Sequence, residues 1–204
     1  MIEKISYGSS NCYLVQEKEN FLLVDTELPG NKKEMIKTLE DYGVNNLKFK
    51  LIVLTHGHVD HVGNALALKE HFGVKIAMNA MDSEMVEKSN TTFPKAHIFF
   101  SKMLRFMLSI KNTKFTYQAF KPDILLKDGD TLDKFGVSGK VIALPGHTLG
   151  SIGILNQGDF FIGDAGMFLR GTLVPPIFGE SNDKMKATVK KIKSMPCDAI
   201  YTGH

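Results

Sequence analysis

Apolar and polar positions alternate along this chain in two rhythms. Ile2–Tyr7, Cys12–Glu17 and Phe21–Asp25 are short runs of β-branched, aromatic and leucine residues, which predict strands. Glu17-Lys18-Glu19-Asn20 has the polar make-up of a hairpin turn between the last two. From Asn31 to Tyr42 the period becomes helical, with Met35, Ile36, Leu39 and Tyr42 on one side and Gly43 as a stop. Leu51-Ile52-Val53-Leu54 is a continuous apolar run and predicts a strand buried on both faces. His61 through Phe72 returns to helical spacing, with Val62, Ala65, Leu66 and Leu68 on its apolar side, and Val74–Met78 predicts another strand.

Helices are predicted next at Met81–Lys88 and, after Pro94, at Ile98–Ile110, where Phe99, Met103, Phe106, Met107 and Ile110 keep helical spacing. Short strands follow at Asp123–Leu126, Val137–Leu144, Ser151–Asn156 and Phe160–Ile162, with a turn over Lys127-Asp128-Gly129-Asp130. A helix at Asn182–Met195 and a strand at Ala199–Tyr201 close the chain. Strands in clusters with helices between them imply a layered α/β architecture. The simplest division is one domain over 1–204, with a helical insert at about 80–122 that breaks the alternation.

Composition narrows the class. Hydrophobic residues at 43% and charged residues at 23% are ordinary for a soluble globular protein. A formal charge of +3 is too small to argue for a nucleic-acid partner, and none is expected. Cys12 and Cys197 have no metal or redox spacing, so a disulfide framework is not expected and a cytoplasmic setting is. The opening residues are not expected to be a signal peptide, and no stretch approaches the ~18 apolar residues of a spanning helix. Charge is uneven, however. Lys88, Lys95, Lys102, Arg105, Lys111, Lys114 and Lys121 occur with no acid among them, a local +7 that leaves −4 for the remainder. Phe93, Phe99, Phe100, Phe106, Phe115 and Phe120 share that segment. It reads as an ordinary helical insert, as a lid that draws anionic substrates to a site, or as a partner or membrane surface.

The chemistry gathers after the Leu51 strand, where LTHGHVDHVGN delivers His56, His58, Asp60 and His61. Extended side chains two apart share a side, so His56 and His58 can face one object, and Asp60 falls near a helix N-terminus that favours its charge. Three later residues repeat one device: His147, Asp164 and His204 each follow an apolar strand, with a glycine immediately before to relieve crowding. Five of the seven histidines stand in these places. His71 and His97 read as a helix-end residue and a surface or lid residue, not as ligands.

HxHxDH after an apolar strand resembles the signature of the metallo-β-lactamase superfamily, and GHTLGS at Gly146–Ser151 is shared with its glyoxalase-II-like branch. The resemblance implies a four-layer αββα sandwich of two mixed sheets flanked by helices, with the site at one edge. It assigns His56, His58 and His147 to a first metal, Asp60, His61 and His204 to a second, and Asp164 to both. It also gives Asp25 a supporting role through hydrogen bonds. Imidazole and carboxylate without thiolate suit two divalent ions, zinc first, with iron or manganese as alternatives. The implied activity is hydrolysis of an ester, thioester, lactone or related small molecule by a metal-bridging hydroxide, with Asp60 orienting it and passing a proton. Thr148 and Ser151 are expected to buttress the ligands.

Other readings stay open: a persulfide dioxygenase-like enzyme with one iron, or a non-catalytic metal-binding protein on the same fold. A flavodiiron reductase is disfavoured, because that branch has an acid where His58 stands. The substrate is expected to be a small molecule, anionic if the basic insert is a lid, and a homodimer is left open. Family members usually continue beyond the residue matching His204. The expectation is therefore a sequence cut short there, or a mobile His204 and a weaker second site.

Overall fold

Side chains two apart on a strand share a face, and the apolar runs divide into separate cores on that rule. The computed structural model describes residues 1–89 and 117–204. Its larger sheet has six strands in the order β1 (Ile2–Ile5), β2 (Cys12–Glu17), β3 (Asn20–Val24), β4 (Phe49–Val53), β5 (Lys75–Asn79) and β6 (Ile124–Leu126). Cys12, Leu14, Phe21, Leu23, Ile52 and Met78 share a buried cluster with Met35 and Leu39 of α1 (Lys32–Asp41). Leu68 and Phe72 of α3 (Ala65–Phe72) belong to the same cluster. Their strand neighbours Tyr13, Val15, Leu22, Val24, Leu51 and Val53 go to a different one.

That second core is shared with a four-stranded sheet, ordered β12 (Ala199–Thr202), β9 (Asp159–Gly163), β8 (Ile152–Asn156) and β7 (Lys140–Ala143). Val141, Ile152, Ile154 and Phe161 fill it from that side. The opposite face of the smaller sheet gives Ile142, Phe160 and Ile162 to a third core with Val189 and Ile192 of α5 (Asn182–Ser194). Helix, sheet, sheet and helix make the four layers that the family resemblance implies. The helix expected at Ile98–Ile110, His97 and most of the basic insert lie outside the described residues. Among the described residues no helix is long and apolar enough to cross a membrane.

Strand direction brings the chemistry to one edge. β3, β4, β5 and β6 run parallel to one another. β12 is parallel to β9, and both β7 and β9 are antiparallel to β8, so β7, β9 and β12 point the same way. The residues that follow the strands therefore leave each sheet together.

Three sequence expectations change. The helix read over His61–Phe72 is two helices, α2 (Val59–Val62) and α3, broken at Gly63. There the Leu28–Pro29 segment lies against the chain: a β-carbon on Gly63 would sit 2.2 Å from Pro29 N, and Gly63 N–H donates to Glu27 O at 2.9 Å. The strand read from Val137 starts only at Lys140, because Gly136 and Gly139 turn the backbone through φ of +79° and +149°. The chain after Asp164, for which no element was expected, forms a hairpin of β10 (Met167–Leu169) and β11 (Thr172–Val174). Its turn residues Arg170 and Gly171 both have positive φ, as a two-residue hairpin turn requires.

Candidate metal centre

At the carboxyl edge of the larger sheet, β3 passes into Asp25 and β4 into Leu54-Thr55-His56-Gly57-His58. The single turn of α2 then carries Asp60 and His61. From the smaller sheet β7 leads to His147, β9 to Asp164 and β12 to His204. These groups meet. His58 Nδ1 lies 3.1 Å from His56 Nε2 and 2.9 Å from His147 Nε2, and all three rings are buried. Asp164 Oδ2 is 3.4 Å from both His147 Nε2 and His204 Nε2, while Oδ1 is 3.4 Å from His61 Nε2. Asp60 Oδ2 stands 3.4 Å from His204 Nε2 and 3.9 Å from His61 Nε2. Asp164 therefore sits between the His56–His58–His147 trio and the Asp60–His61–His204 set, each of which can offer its atoms to one ion.

The glycines before His147, Asp164 and His204 are all required by contact, a β-carbon at Gly146 standing 2.6 Å from Met185 N. A β-carbon at Gly203 would stand 2.2 Å from Asp164 Oδ1 and 2.7 Å from His61 Cε1. Gly163 has φ +50°, and a β-carbon there would meet Thr55 Oγ1 at 2.3 Å. No other residue lets the strand ends approach so closely.

The backs of the rings are anchored. His61 Nδ1 is 2.8 Å from Asp25 Oδ2, His147 Nδ1 is 2.9 Å from Phe178 O, and His204 Nδ1 is 2.9 Å from Ser9 O. Those oxygens can only accept, so a proton stays on Nδ1 and Nε2 is the atom turned inward. Thr55 Oγ1 donates to Asp25 Oδ2 at 2.8 Å and is left to accept from His56 Nδ1 at 3.1 Å. His58 is the exception, presenting Nδ1 to the centre. His204 keeps 46% of its side chain exposed, and Thr202 Oγ1 donates to its carbonyl at 2.6 Å.

Electrostatics divides the centre. Burial pushes His56 well below the ordinary histidine range, and burial followed by the charge of His147 takes His58 down to about 3. His61 is opposed by burial, yet Asp164, Asp25 and Asp60 together hold it well above that range. His204 is raised to about 10 by hydrogen bonds to Asp164 and Asp60. Burial also works against the charged forms of Asp60 and Asp164. In Asp60, His61 and the hydrogen bond from His204 overcome it and lower the carboxyl to about 2. In Asp164, His61 and the hydrogen bonds from His204 and His61 hold the group well below the carboxylate range. In the metal-free chain His56 and His58 are neutral near neutral pH, while Asp60, Asp164, His61 and His204 form a cluster of two carboxylates and two imidazolium rings.

The donor set fits divalent ions. His61 Nε2 and Asp164 Oδ1 are buried and face each other at 3.4 Å without a well-aligned hydrogen bond among the described residues, an arrangement that a bound cation would complete better than the pair does alone. Nitrogen and carboxylate oxygen without sulfur suit zinc, iron or manganese. His71 lies apart, exposed and paired with Glu40 at 2.9 Å, as expected of a helix-end residue.

Sequence reasoning missed two buried acids. Asp82, in the first turn of α4 (Ala80–Glu87), accepts from Gly57 N, Thr148 Oγ1 and Gly150 N at 3.0, 2.7 and 2.8 Å. Glu27 accepts from Tyr7 N and Ser9 N at 2.9 and 3.0 Å. Their sequence signals are common ones, an acid at a helix start and an acid beside Pro29-Gly30, and neither points to a site. Thr148 and Ser151 do buttress the His147 loop, 2.7 Å from each other.

Comparison with known proteins gives the family and the fold. A family model described as "Metallo-beta-lactamase superfamily" matches residues 6–204. The hydroxyacylglutathione hydrolase GloC of Haemophilus influenzae is 35% identical over 151 residues, covering 72% of this chain and 61% of that protein. Hydroxyacylglutathione hydrolase 1 of Vibrio vulnificus is 28% identical over 193 residues, covering 94% of this chain and 60% of its own length. The chain thus spans about three fifths of these curated relatives. Among solved structures, the B3 metallo-beta-lactamase BLEG-1 superposes with a TM-score of 0.74 at 20% identity, covering 100% of this chain and 91% of its own. TTHA1623 in a di-iron-bound form superposes at 0.69 and 22% identity, with 100% and 91% covered. At such identities the likeness is one of fold.

Proposed function

The chain belongs to the metallo-β-lactamase superfamily, and from that premise we propose that it is a binuclear metal-dependent hydrolase of small thioesters or esters. The observation that carries this reading is the convergence of seven ligand-type side chains at one point, with His61 Nε2 and Asp164 Oδ1 buried 3.4 Å apart and no well-aligned hydrogen bond to either. His56, His58 and His147 would hold one ion, Asp60, His61 and His204 the other, and Asp164 would serve both. Divalent ions there supply an acidified water as nucleophile and a Lewis acid for the attacked carbonyl.

The protein's own groups do the rest. Asp25 and the carbonyls of Phe178 and Ser9 fix ring tautomers, so the imidazoles need not reorient. The buried trio closes the floor of the site to bulk water, while the half-exposed His204 marks its open side. Asp60 keeps 27% of its side chain exposed at that open side, where it can take a proton from the attacking water and hand it to the leaving group. Cys12 does not compete as a nucleophile: it is fully buried, and burial pushes its thiol well up. The relatives' names favour a thioester over other acyl substrates. A small-molecule substrate and a cytoplasmic setting belong to the same proposal.

The test is to load the purified chain with zinc, iron or manganese, count ions per chain, and offer acyl thioesters, esters and lactones. Two ions per chain, with turnover that chelation removes and metal restores, supports the reading. A fully loaded chain that leaves every substrate intact overturns it. One iron per chain with oxygen uptake on a persulfide would favour the oxidoreductase alternative.

A further inference from the structure

At the carboxyl edge of the larger sheet the end of β5 lies beside that of β4. β5 is parallel to β4 and passes through Asn79 straight into α4. Asp82 is thereby brought beneath two loops that come from different sheets. Its Oδ2 accepts from Gly57 N, the residue between His56 and His58, and from Thr148 Oγ1, the residue after His147. Its Oδ1 accepts from Gly150 N in the same loop as His147. The carboxylate is 2% exposed and touches none of the ligand groups through a hydrogen bond.

Both loops are shaped to receive it. A β-carbon at Gly150 would stand 2.3 Å from Asp82 Oδ1, and one at Gly57 would meet Met85 Sδ at 3.0 Å and Asp82 O at 3.2 Å. Burial raises the Asp82 carboxyl, and the donors Thr148, Gly57 and Gly150 pull it back. Three donors on an acceptor that can use several lone pairs is a satisfied arrangement. It ties the His56–His58 loop of one sheet to the His147 loop of the other through a single side chain.

The second set of ligand candidates is tied elsewhere. Glu27 holds Tyr7 N and Ser9 N, Ser9 O accepts from His204 Nδ1, Ser10 Oγ donates to Asp60 O, and Asn11 N–H donates to Gly203 O at 2.7 Å. The two buried acids therefore serve different halves of the centre.

We propose that Asp82 is a positioning residue for the His56–His58–His147 trio, setting the distance between the two loops that carry it, independently of the Asp60–His61–His204 set. The inference deepens the metal-dependent reading and rests on it for its metal arm alone.

The test uses the full chain as wild type, Asp82→Asn and Glu27→Gln, each checked for folding by circular dichroism. In the metal-free chain, amide hydrogen exchange is followed at Gly57 and Gly150 against Tyr7 and Ser9. Asp82→Asn should speed the first pair and spare the second, and Glu27→Gln should do the reverse. Zinc is then titrated while the imidazole nitrogen signals of His147 and His204 are observed. Asp82→Asn should shift the His147 response to about 10- to 100-fold higher zinc, the usual cost of losing a group that orients ligands, and leave the His204 response in place. A folded Asp82→Asn chain with wild-type exchange at Gly57 and Gly150 overturns the proposal, as does an equal shift at both histidines. If the wild type takes up no zinc, the metal-dependent reading falls, and the exchange arm still decides the role of Asp82.

Discussion

His61 turns Nδ1 toward Asp25, 2.8 Å away, and in doing so holds Nε2 3.4 Å from Asp164. Asp25 itself lies in left-handed backbone at φ +62° and also accepts from Thr55 N at 2.8 Å. One carboxylate thus fixes both the strand end that precedes His56 and the tautomer of His61.

Asp25→Asn tests that link, since asparagine tolerates the same backbone and keeps the size. Its amide places donors or a weaker acceptor against the Thr55 N–H and His61 Nδ1–H. Metal affinity should fall about 10- to 100-fold, and the nitrogen spectrum of His61 should show mixed tautomers. An unmixed Nδ1–H signal with unaltered affinity would remove Asp25 from the centre.

Gly203→Ala should damage the centre more than the fold. Its methyl would overlap Asp164 Oδ1, and overpacking of this kind costs about 1–3 kcal/mol. The control is Gly73→Ala, where φ is +68° and no atom lies within 4 Å of the added carbon. That change should lower stability by about 1 kcal/mol through strain alone and leave metal content unchanged. Urea unfolding and metal counts on both variants decide; matching metal contents would count against the close-contact argument.

Asp60→Asn should keep the fold and the trio's ion while lowering hydrolysis by about 100-fold or more, the scale of a lost proton-transfer group. Turnover near wild type in a metal-replete sample would end the proposed role.

Metal uptake should release protons. His61 is held well above the histidine range and His204 is raised to about 10, so both carry a proton near neutral pH in the metal-free chain. Both must lose it to ligate, which gives about two protons per loaded chain. Calorimetric titration in buffers of different ionisation enthalpy measures that number, and a value near zero would contradict the charge assignment. The sign for stability follows from the same shift. The contribution of His204 is complete below the ordinary histidine pKa and is lost as pH rises toward about 10.

Much of this was legible in the sequence because the ligand candidates end strands. An apolar run that stops in Gly-His or Gly-Asp states both where the strand ends and which group it delivers. Tyr42 and Ser194 likewise mark helix ends close to those expected. Asp82 and Glu27 were not legible, since four of their five named partners are backbone N–H groups, which every residue type but proline carries. The break at Gly63 depends on Pro29, far back in the chain, and local spacing says nothing of such an approach. The Met167–Val174 hairpin has strands of three residues that are largely uncovered, too short and too exposed to show an alternating pattern.

The position of the centre across two sheets has a consequence for its choice of ion. His56 and His58 hang from one sheet and His147 from the other, with Leu22, Leu51, Val53, Ile152, Ile154 and Phe161 filling the space between. That filling works as the spindle of a calliper whose jaws are the imidazoles. Jaws set for zinc close to bonds of about 2.0–2.1 Å, whereas calcium asks for about 2.3–2.6 Å. Close-packed interiors transmit the loss of even one methylene, so a trimmed valine well away from any ligand alters the gap the jaws span. On the proposed metal-dependent reading, the selectivity of the site would then rest partly on residues that never touch an ion.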